Sequence, residues 1–344
     1  MIFYFAGRGI EPPAGAGHGI EVMGPAEGSG GRLESFYEKF TIAVLIAGVA
    51  GILLYVLAPQ FYIDYSYKML FISKADVPTM RVRMNSVVGC TLLGFLGTAS
   101  MMTGAFFLKA GVREGKEGSR GRSGSLVKSI IYIAVSMITA VMSNQRSSLV
   151  TVILVLVFLN YLVFFRLFLI EKKYFRLELI CLLVIFVLVC LFKADIVLKI
   201  WYRLVSLPGA VSERSEQWVA AVNNMYSVWL GNGLGANGHR ALGIEDAHVI
   251  ADGGLIKLYC EEGIIGFSLF LYIVANAVRK GLHNIGEYYV ELGLIAVTLL
   301  QSIGSNIIAF QLAAPIFWFA AGRLDSGQKA YPADAPVREG EVEP

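Results

Sequence analysis

The chain has 344 residues, of which 56% are apolar and only 16% are charged. A soluble domain rarely carries so apolar a balance, so most of the chain is expected to lie in lipid. The net charge of +3 is not gathered into a basic patch interleaved with aromatic residues, which excludes nucleic-acid binding. The cysteines have no spacing that would bind a metal.

The predicted fold is an all-α polytopic membrane protein. Residues 1–40 are expected to be a disordered cytoplasmic tail, because residues 7–34 are rich in glycine, alanine and proline without periodicity. Apolar runs then predict about eight transmembrane helices. These predicted spans are 41–58, 87–108, 126–143, 149–168, 177–193, 255–278, 288–304 and 305–322. The first five form a bundle at 41–193, followed by one large outer loop at 194–254, C-terminal spans at 255–322 and a cytoplasmic tail at 323–344.

Short basic loops set the predicted orientation, because Lys and Arg accumulate on the cytoplasmic side of a membrane. Such loops precede the third span, separate the fourth from the fifth and follow the sixth, with Lys109, Arg113, Lys116, Arg120, Arg122, Lys172, Lys173, Arg176, Arg279 and Lys280. All three fall on one face, so both termini are predicted to be cytoplasmic. The large loop then faces the periplasm of a bacterial inner membrane.

The large loop is predicted to contain two short helices. Residues 196–205 place Lys199 and Arg203 among apolar side chains, which favours a helix lying in the membrane interface. Residues 211–229 predict a second helix, with Ser212 as its N-cap. The sequence WLGNGLGANG predicts a tight, close-packed turn, and the chain from Glu245 to Cys260 is expected to re-enter the membrane as a helix interrupted at Gly253 and Gly254.

Four arginines are predicted at the outer side: Arg83, Arg146, Arg214 and Arg240. An arginine at the lip of a span is costly unless it meets an anion. Any one of them is equally well explained as an anchor that snorkels to the lipid headgroups. Several together favour a polyanionic ligand, because guanidinium groups bind phosphate oxygens in pairs.

Acidic and histidine side chains close to these arginines are candidate proton acceptors. His248 and Asp252 would share one face of a helix, and either could act as a general base. The alternative is that Asp252 only caps the next membrane helix. Glu262 is a candidate for orienting an arginine, although Glu261 and Glu262 are equally explained as a packed, hydrogen-bonded pair.

The order of the motifs resembles the superfamily of O-antigen ligases and Wzy-type O-antigen polymerases. SNQRSS before LVTVILVLVFL resembles the family's S-x-R at the start of a span. Arg214 and Trp218 ahead of WLGNGLG resemble the opening of its large periplasmic loop. DGGLIKLYCEEGIIGF resembles the exit of that loop, and the match runs from about Arg83 to Phe319.

This resemblance implies a GT-C-like fold and a glycosyltransferase that uses an undecaprenyl-diphosphate-linked oligosaccharide, with no cofactor, metal or nucleotide sugar. Arg83 and Gly94 fit an R-x10-G pattern of the polymerases. Ligases have a histidine nine residues before the exit glutamate, where this chain has Asp252 before Glu261. A polymerase is therefore preferred to a ligase.

The predicted function is an O-antigen or exopolysaccharide polymerase that joins lipid-linked repeat units on the periplasmic face. Arg146, Arg214, Arg83 and Arg240 are predicted to bind the diphosphate, and Asp252, His248 and Glu262 to serve catalysis. The expected partners are membrane lipid, a flippase and a chain-length regulator. The alternatives are an O-antigen ligase that transfers glycan to lipid A-core, and a transporter of lipid-linked sugars or anions without chemistry.

Overall fold

The computed structural model describes residues 29–58, 60–61, 83–84, 86, 88–116, 122–166, 180, 198, 201–202, 204–238, 248–250, 252–310 and 312–326. Within these ranges the regular structure is helical, with no strand. The α-helices are Ser29–Leu57 (α1), Cys90–Lys116 (α2), Arg122–Met142 (α3), Arg146–Asn160 (α4), Leu207–Asn223 (α5), Gly254–His283 (α6), Ile285–Gly304 (α7) and Ala314–Ser326 (α8). A π-helix, Tyr161–Arg166, continues α4, and a 3-10 helix, Ile307–Ala309, follows α7.

Four described segments are long and apolar enough to cross a membrane: Arg32–Leu57, Cys90–Lys109, Arg146–Arg166 and Gly254–His283. A shorter apolar helix covers Leu126–Met142. These helices support an α-helical, membrane-embedded protein. The total of eight crossings stays a prediction, and the predicted fifth span, 177–193, lies outside the described residues apart from Ile180.

The first and last predicted spans differ from the helices observed. Helix α1 begins at Ser29, inside the segment predicted to be a disordered tail. Leu33 and Tyr37 are four apart and both buried, so this added helical segment is held by packing on one face. The predicted span 305–322 is divided, because a 3-10 turn precedes α8 and leaves only 13 residues in that helix.

Helix α2 lies at the centre of the bundle, and small residues let its neighbours approach closely. A Cβ added to Gly94 would lie 2.7 Å from the Ser143 Oγ, and one added to Gly97 would lie 2.9 Å from the Ala140 Cβ. Side-chain hydrogen bonds join the same helices: Thr41 with Thr103 at 2.7 Å, Ser136 to Ser100 at 2.8 Å, and Gln301 to Thr98 at 2.8 Å. Small residues and interhelical hydroxyl bonds are typical of helix packing in lipid.

One end of the bundle, here the basic end, carries ion pairs between distant helices. Lys109 of α2 donates to the Gly286 carbonyl at 2.6 Å and to Glu287 at 2.9 Å, and Lys280 pairs with Asp325. Arg323 lies 3.4 Å from Glu291, and both side chains are buried. Each charge has an opposite partner, as buried charges in membrane proteins require. At the opposite end, here the site end, α4 and α6 begin and α7 ends.

We predict that the basic end faces the cytoplasm. Topology reporters fused after Gly118 and after Lys173 should then report cytoplasm, and one fused near Gly238 should report periplasm, because basic loops stay inside. Alkaline phosphatase and green fluorescent protein fusions make the measurement, with total fusion protein as the control. A cytoplasmic signal at Gly238 would reverse the orientation.

Candidate functional site

Four segments that are distant in sequence meet at the site end. They are the first turn of α4, the middle of α5, the chain just before α6 and the chain just after α7. The contacts between them bring two of the predicted arginines, Arg146 and Arg214, to the same surface as Asp252. Three of the seven predicted site residues are thus gathered there.

Arg214 and Asp252 form an ion pair, with the arginine Nη2 2.7 Å from the Asp252 Oδ2. The arginine Nη1 also donates to the Gly304 carbonyl at 3.3 Å, at the end of α7. The side chains remain 27% and 38% exposed, respectively. An ion pair this exposed contributes little to stability, so it can open when a stronger anion arrives.

The backbone at Asp252 is held from two sides. The Trp218 indole Nε1 donates to the Asp252 carbonyl at 2.7 Å, and the Gly254 N–H donates to the Ser305 carbonyl at 3.0 Å. Gly253 lies between them with φ of +111°, and a Cβ there would lie 2.7 Å from the same indole nitrogen. Only glycine fits this position, because the backbone is left-handed and the indole leaves no room for a Cβ.

Asp252 is not the N-cap of the following helix. Gly253 occupies the N-cap position of α6, and no side chain caps that end by a hydrogen bond. The carboxylate points instead to Arg214. The capping alternative is therefore not the arrangement observed.

Arg146 is the first residue of α4 and lies beside this pair. Its Nη2 donates to the Ser206 Oγ at 3.0 Å, just before α5. The next residue, Ser147, has its Oγ 3.3 Å from the Ser305 Oγ. A Cβ added to Gly304 would lie 3.7 Å from both the Arg214 Nη1 and the Ser147 Cβ. Arg146 and Arg214 thus flank the same end of α7.

The other two arginines are less closely tied to the site. Arg83 is half-buried, and the N–H of the adjacent Met84 donates to the Met142 carbonyl at 3.1 Å. That bond places Arg83 next to the turn that leads from α3 to Arg146. Arg240 lies outside the described residues.

His248 does not share a helical face with Asp252, so that prediction is wrong. Residues 248–250 are not helical, and α6 begins only at Gly254. Two amide side chains bond the backbone of this segment: Asn237 Nδ2 donates to the His248 carbonyl at 2.7 Å, and Asn306 Nδ2 to the Ile250 carbonyl at 3.1 Å. The Ile250 N–H also donates to the Asn237 carbonyl at 3.0 Å, so the segment is bonded to other parts of the chain and not within a helix.

Glu262 is also placed differently from the prediction. Its Oε2 lies 2.8 Å from the position that a Cβ would take on Gly266, so the side chain runs along its own helix. No ion pair joins Glu262 to an arginine within the described part of the chain. It does not orient Arg214, whose carboxylate partner is Asp252.

Glu261 organises the loop instead, a role that the sequence did not reveal. Its buried Oε1 accepts the Asn237 N–H at 3.2 Å and lies 3.7 Å from the Lys257 Nζ. Asn237 in turn accepts the Ile250 N–H at 3.0 Å through its carbonyl. Glu261 therefore supports, through Asn237, the non-helical segment 248–250 that precedes Asp252. The only sequence signal was the Lys257 to Glu261 spacing of one helical turn.

Helix α5 begins earlier than predicted, and Ser212 lies inside it. Ser206 occupies the N-cap position without a side-chain capping bond, and its hydroxyl accepts from Arg146. The glycine-rich turn, predicted to be close-packed, packs closely at Gly231, whereas Gly233 and Gly235 have open space around them. A Cβ added to Gly231 would lie 2.5 Å from the Glu261 carbonyl carbon.

Comparison with known proteins assigns no family to this chain. No family model matches the sequence, and no curated protein matches it. A functional assignment therefore depends on the residues and contacts of the site end.

Proposed function

We propose that the chain is a polysaccharide polymerase that joins repeat units carried on undecaprenyl diphosphate at the outer face of a bacterial inner membrane. A sugar hydroxyl of one lipid-linked unit attacks the anomeric carbon of the growing chain. The new carbon–oxygen bond replaces the bond to the diphosphate, which leaves as undecaprenyl diphosphate. The hydroxyl proton passes to a carboxylate.

The observation that carries this proposal is the half-exposed pair of Arg214 and Asp252, with Arg146 beside it. The pair lies at the end of α6, a helix long and apolar enough to cross a membrane. A lipid diphosphate has its phosphates at the same depth as such helix ends. The proposed ligand and the two guanidinium groups are thus at the same level.

The arginines would act on the leaving group. Negative charge accumulates on the diphosphate as its bond to the sugar breaks, and fixed donors that meet this charge lower the barrier. Arg146 and Arg214 are the proposed donors, and Arg83 and Arg240 are proposed as further diphosphate ligands. When the diphosphate binds Arg214, it competes with the Asp252 carboxylate for the same guanidinium group.

Asp252 would accept the proton of the attacking hydroxyl. A positioned general base contributes a rate factor of roughly 10² to 10⁴. Its release from Arg214 by the incoming diphosphate would couple donor binding to the availability of the base. His248 remains a proposed second acceptor on the same segment, although the contact that first motivated it is absent.

An apolar cavity of about 360 Å³ supports a polyprenyl donor. It opens between α4, α6 and α7, and its lining includes Leu154, Phe158, Val278, Leu299 and Leu300. Helices α4 and α7 are the ones whose outer ends carry Arg146 and Gly304. A lipid with its diphosphate at the arginines could lay its isoprenoid chain along the same helices.

Deletion of the gene tests polymerase against ligase. We expect the deletion strain to carry surface lipid with at most one repeat unit, because ligation of single units continues without a polymerase. Gel electrophoresis of the lipopolysaccharide and mass spectrometry of the lipid-linked pool make the measurement, with the complemented strain as control. Long polymer left on undecaprenyl diphosphate would identify a ligase, and lipid-linked units trapped in the cytoplasmic leaflet would identify a transporter.

A further inference from the structure

The glycine-rich segment at residues 226–234, here the apolar turn, exposes large apolar side chains. Tyr226 is 93% exposed, Leu234 81%, Leu230 69% and Trp229 65%. So many exposed apolar side chains in one short segment are costly in water and mark a surface that meets another phase. The sequence had placed this segment in a water-facing loop.

The apolar turn is bonded to a break in α6. Gly263 has φ of +64° and ψ of −170°, so the helix is interrupted there. The Ile264 N–H donates to the Val228 carbonyl at 2.9 Å and the Ile265 N–H to the Trp229 carbonyl at 3.3 Å. In a continuous helix these two N–H groups would donate to Cys260 and Glu261. The turn supplies the acceptors that the break removes.

The apolar turn also donates hydrogen bonds to the carbonyl groups that the break in α6 leaves without their helical partners. The Asn232 N–H donates to the Cys260 carbonyl at 2.8 Å, and the Gly233 N–H to the Glu261 carbonyl at 2.9 Å. Four backbone groups of α6, two on each side of the break, are therefore satisfied without water. Irregular backbone is tolerated next to lipid only when its polar groups are bonded in this way.

Helix lengths place the break at the outer boundary of the hydrocarbon layer. Helix α7 has 20 residues and is about 30 Å long at 1.5 Å per residue, which matches the layer. The part of α6 from Gly263 to His283 has nearly the same length as α7. It ends at Asn284, the residue from which α7 begins. The part of α6 after the break is thus long enough to cross the layer by itself, which places the break, and the apolar turn bonded to it, at the outer end of that crossing.

The surface below the break is also apolar and exposed. Ile264, Ile265, Leu269 and Tyr272 lie on α6 with exposed side chains, in the segment that has membrane-crossing composition. The apolar turn continues this lipid-facing surface toward the site end of the bundle. Tyrosine and tryptophan are the side chains enriched where hydrocarbon meets headgroups.

We propose that the apolar turn is embedded in the outer membrane interface, with Trp229, Leu230 and Leu234 among the acyl chains. It anchors the loop that carries Arg214 and Asp252 at the depth of the lipid headgroups. This placement does not depend on the reaction that the site performs.

Spin labels at single cysteines test the placement. In a chain with its native cysteines replaced by alanine, Leu230→Cys and Leu234→Cys are labelled after reconstitution in phosphatidylcholine and phosphatidylglycerol nanodiscs. Ser212→Cys on α5 is the water-facing control, and Leu269→Cys on α6 is the lipid-facing control. We expect oxygen to reach labels at 230 and 234 as it does at 269, and a polar nickel complex to reach them several-fold less than at 212. Nickel access equal to that at 212 would overturn the proposal.

Tryptophan quenching provides a second measurement in the chain with its native cysteines. Phosphatidylcholine brominated near the top of the acyl chain quenches only tryptophans that lie at that depth. The emission of the wild type minus that of Trp229→Phe isolates the emission of Trp229, and we expect the brominated lipid to quench it. A difference emission that the brominated lipid leaves unchanged would place Trp229 in water and contradict the proposal, whatever the polymer activity.

Discussion

Replacing Arg214 with alanine should reduce polymer formation at least about 100-fold, the usual cost of removing one donor that meets charge in the transition state. The substitution also leaves Asp252 without its guanidinium partner. Arg214→Lys should recover only part of the activity, because lysine keeps the charge but loses the paired donors. Arg146→Ala should have a similar effect. The measurement is chain length on lipopolysaccharide gels, normalised to membrane-inserted protein.

Asp252→Asn keeps the shape of the side chain and removes its charge and basicity, so we expect it to reproduce the deletion strain. If Asp252 acts only by holding Arg214, Asp252→Asn will be no more impaired than Arg214→Ala, and the double variant Arg214→Ala/Asp252→Asn will match Arg214→Ala. If Asp252 is also the base, Asp252→Asn will be inactive even though Arg214 is retained. Exposed Arg279 at the basic end gives the matched control, since Arg279→Ala should make normal polymer.

These variants separate a functional role from a structural one. Wild-type polymer from Arg214→Ala or Arg146→Ala would exclude the diphosphate role. Loss of the protein from the membrane would instead show that the arginines anchor the fold. A fully active Asp252→Asn variant would transfer the role of base to His248 or remove the need for one.

Replacing Gly263 with alanine should unfold the site end of α6. A Cβ at this position would lie 2.4 Å from the Trp229 carbonyl oxygen, and the backbone has a left-handed φ. The left-handed conformation alone costs about 1–3 kcal/mol for a residue with a side chain, and the collision adds to it. We expect a large fall in melting temperature in detergent, measured by intrinsic tryptophan fluorescence.

Substitutions at two other glycines separate the cost of a left-handed backbone from the cost of a steric collision. Gly233→Ala has a positive φ but open space, so only the strain should appear. Gly209→Ala lies in α5 with open space and no left-handed φ, and we expect it to be neutral or to stabilise by a few tenths of a kcal/mol, as glycine replacement in a helix does. A Gly263→Ala protein that melts with the wild type would show that the turn and α6 are not in contact as described.

The amino-acid sequence predicted the parts of the fold that depend on composition along the chain. Long apolar runs identified the helices that begin at Arg146 and Gly254, because crossing hydrocarbon imposes a length and a polarity. The close approach of the glycine-rich turn at Gly231 was also predictable, since glycine is needed where backbones approach. The meeting of Arg146 and Arg214 followed only from the order of short motifs.

The remaining features depend on contacts between distant segments. The break at Gly263 lies in a Gly-Ile-Ile-Gly run that reads as continuous helix, and it forms because the turn at 228–233 replaces the lost bonds. The sequence around His248 predicted a helix, because it does not reveal that Asn237 and Asn306 bond the carbonyl groups of residues 248 and 250. Glu261 and Glu262 are adjacent, and only their burial shows which of them organises the loop.

Turnover by the purified protein tests the proposed function most directly. Vesicles containing the protein are given the lipid-linked repeat unit extracted from the deletion strain, and both chain length and free undecaprenyl diphosphate are followed. We expect wild-type protein to lengthen the chains and to release one undecaprenyl diphosphate for each new bond, and Arg214→Ala to do neither. Absence of elongation by folded wild-type protein, or elongation without release of the diphosphate, would contradict a polymerase site at Arg214 and Asp252.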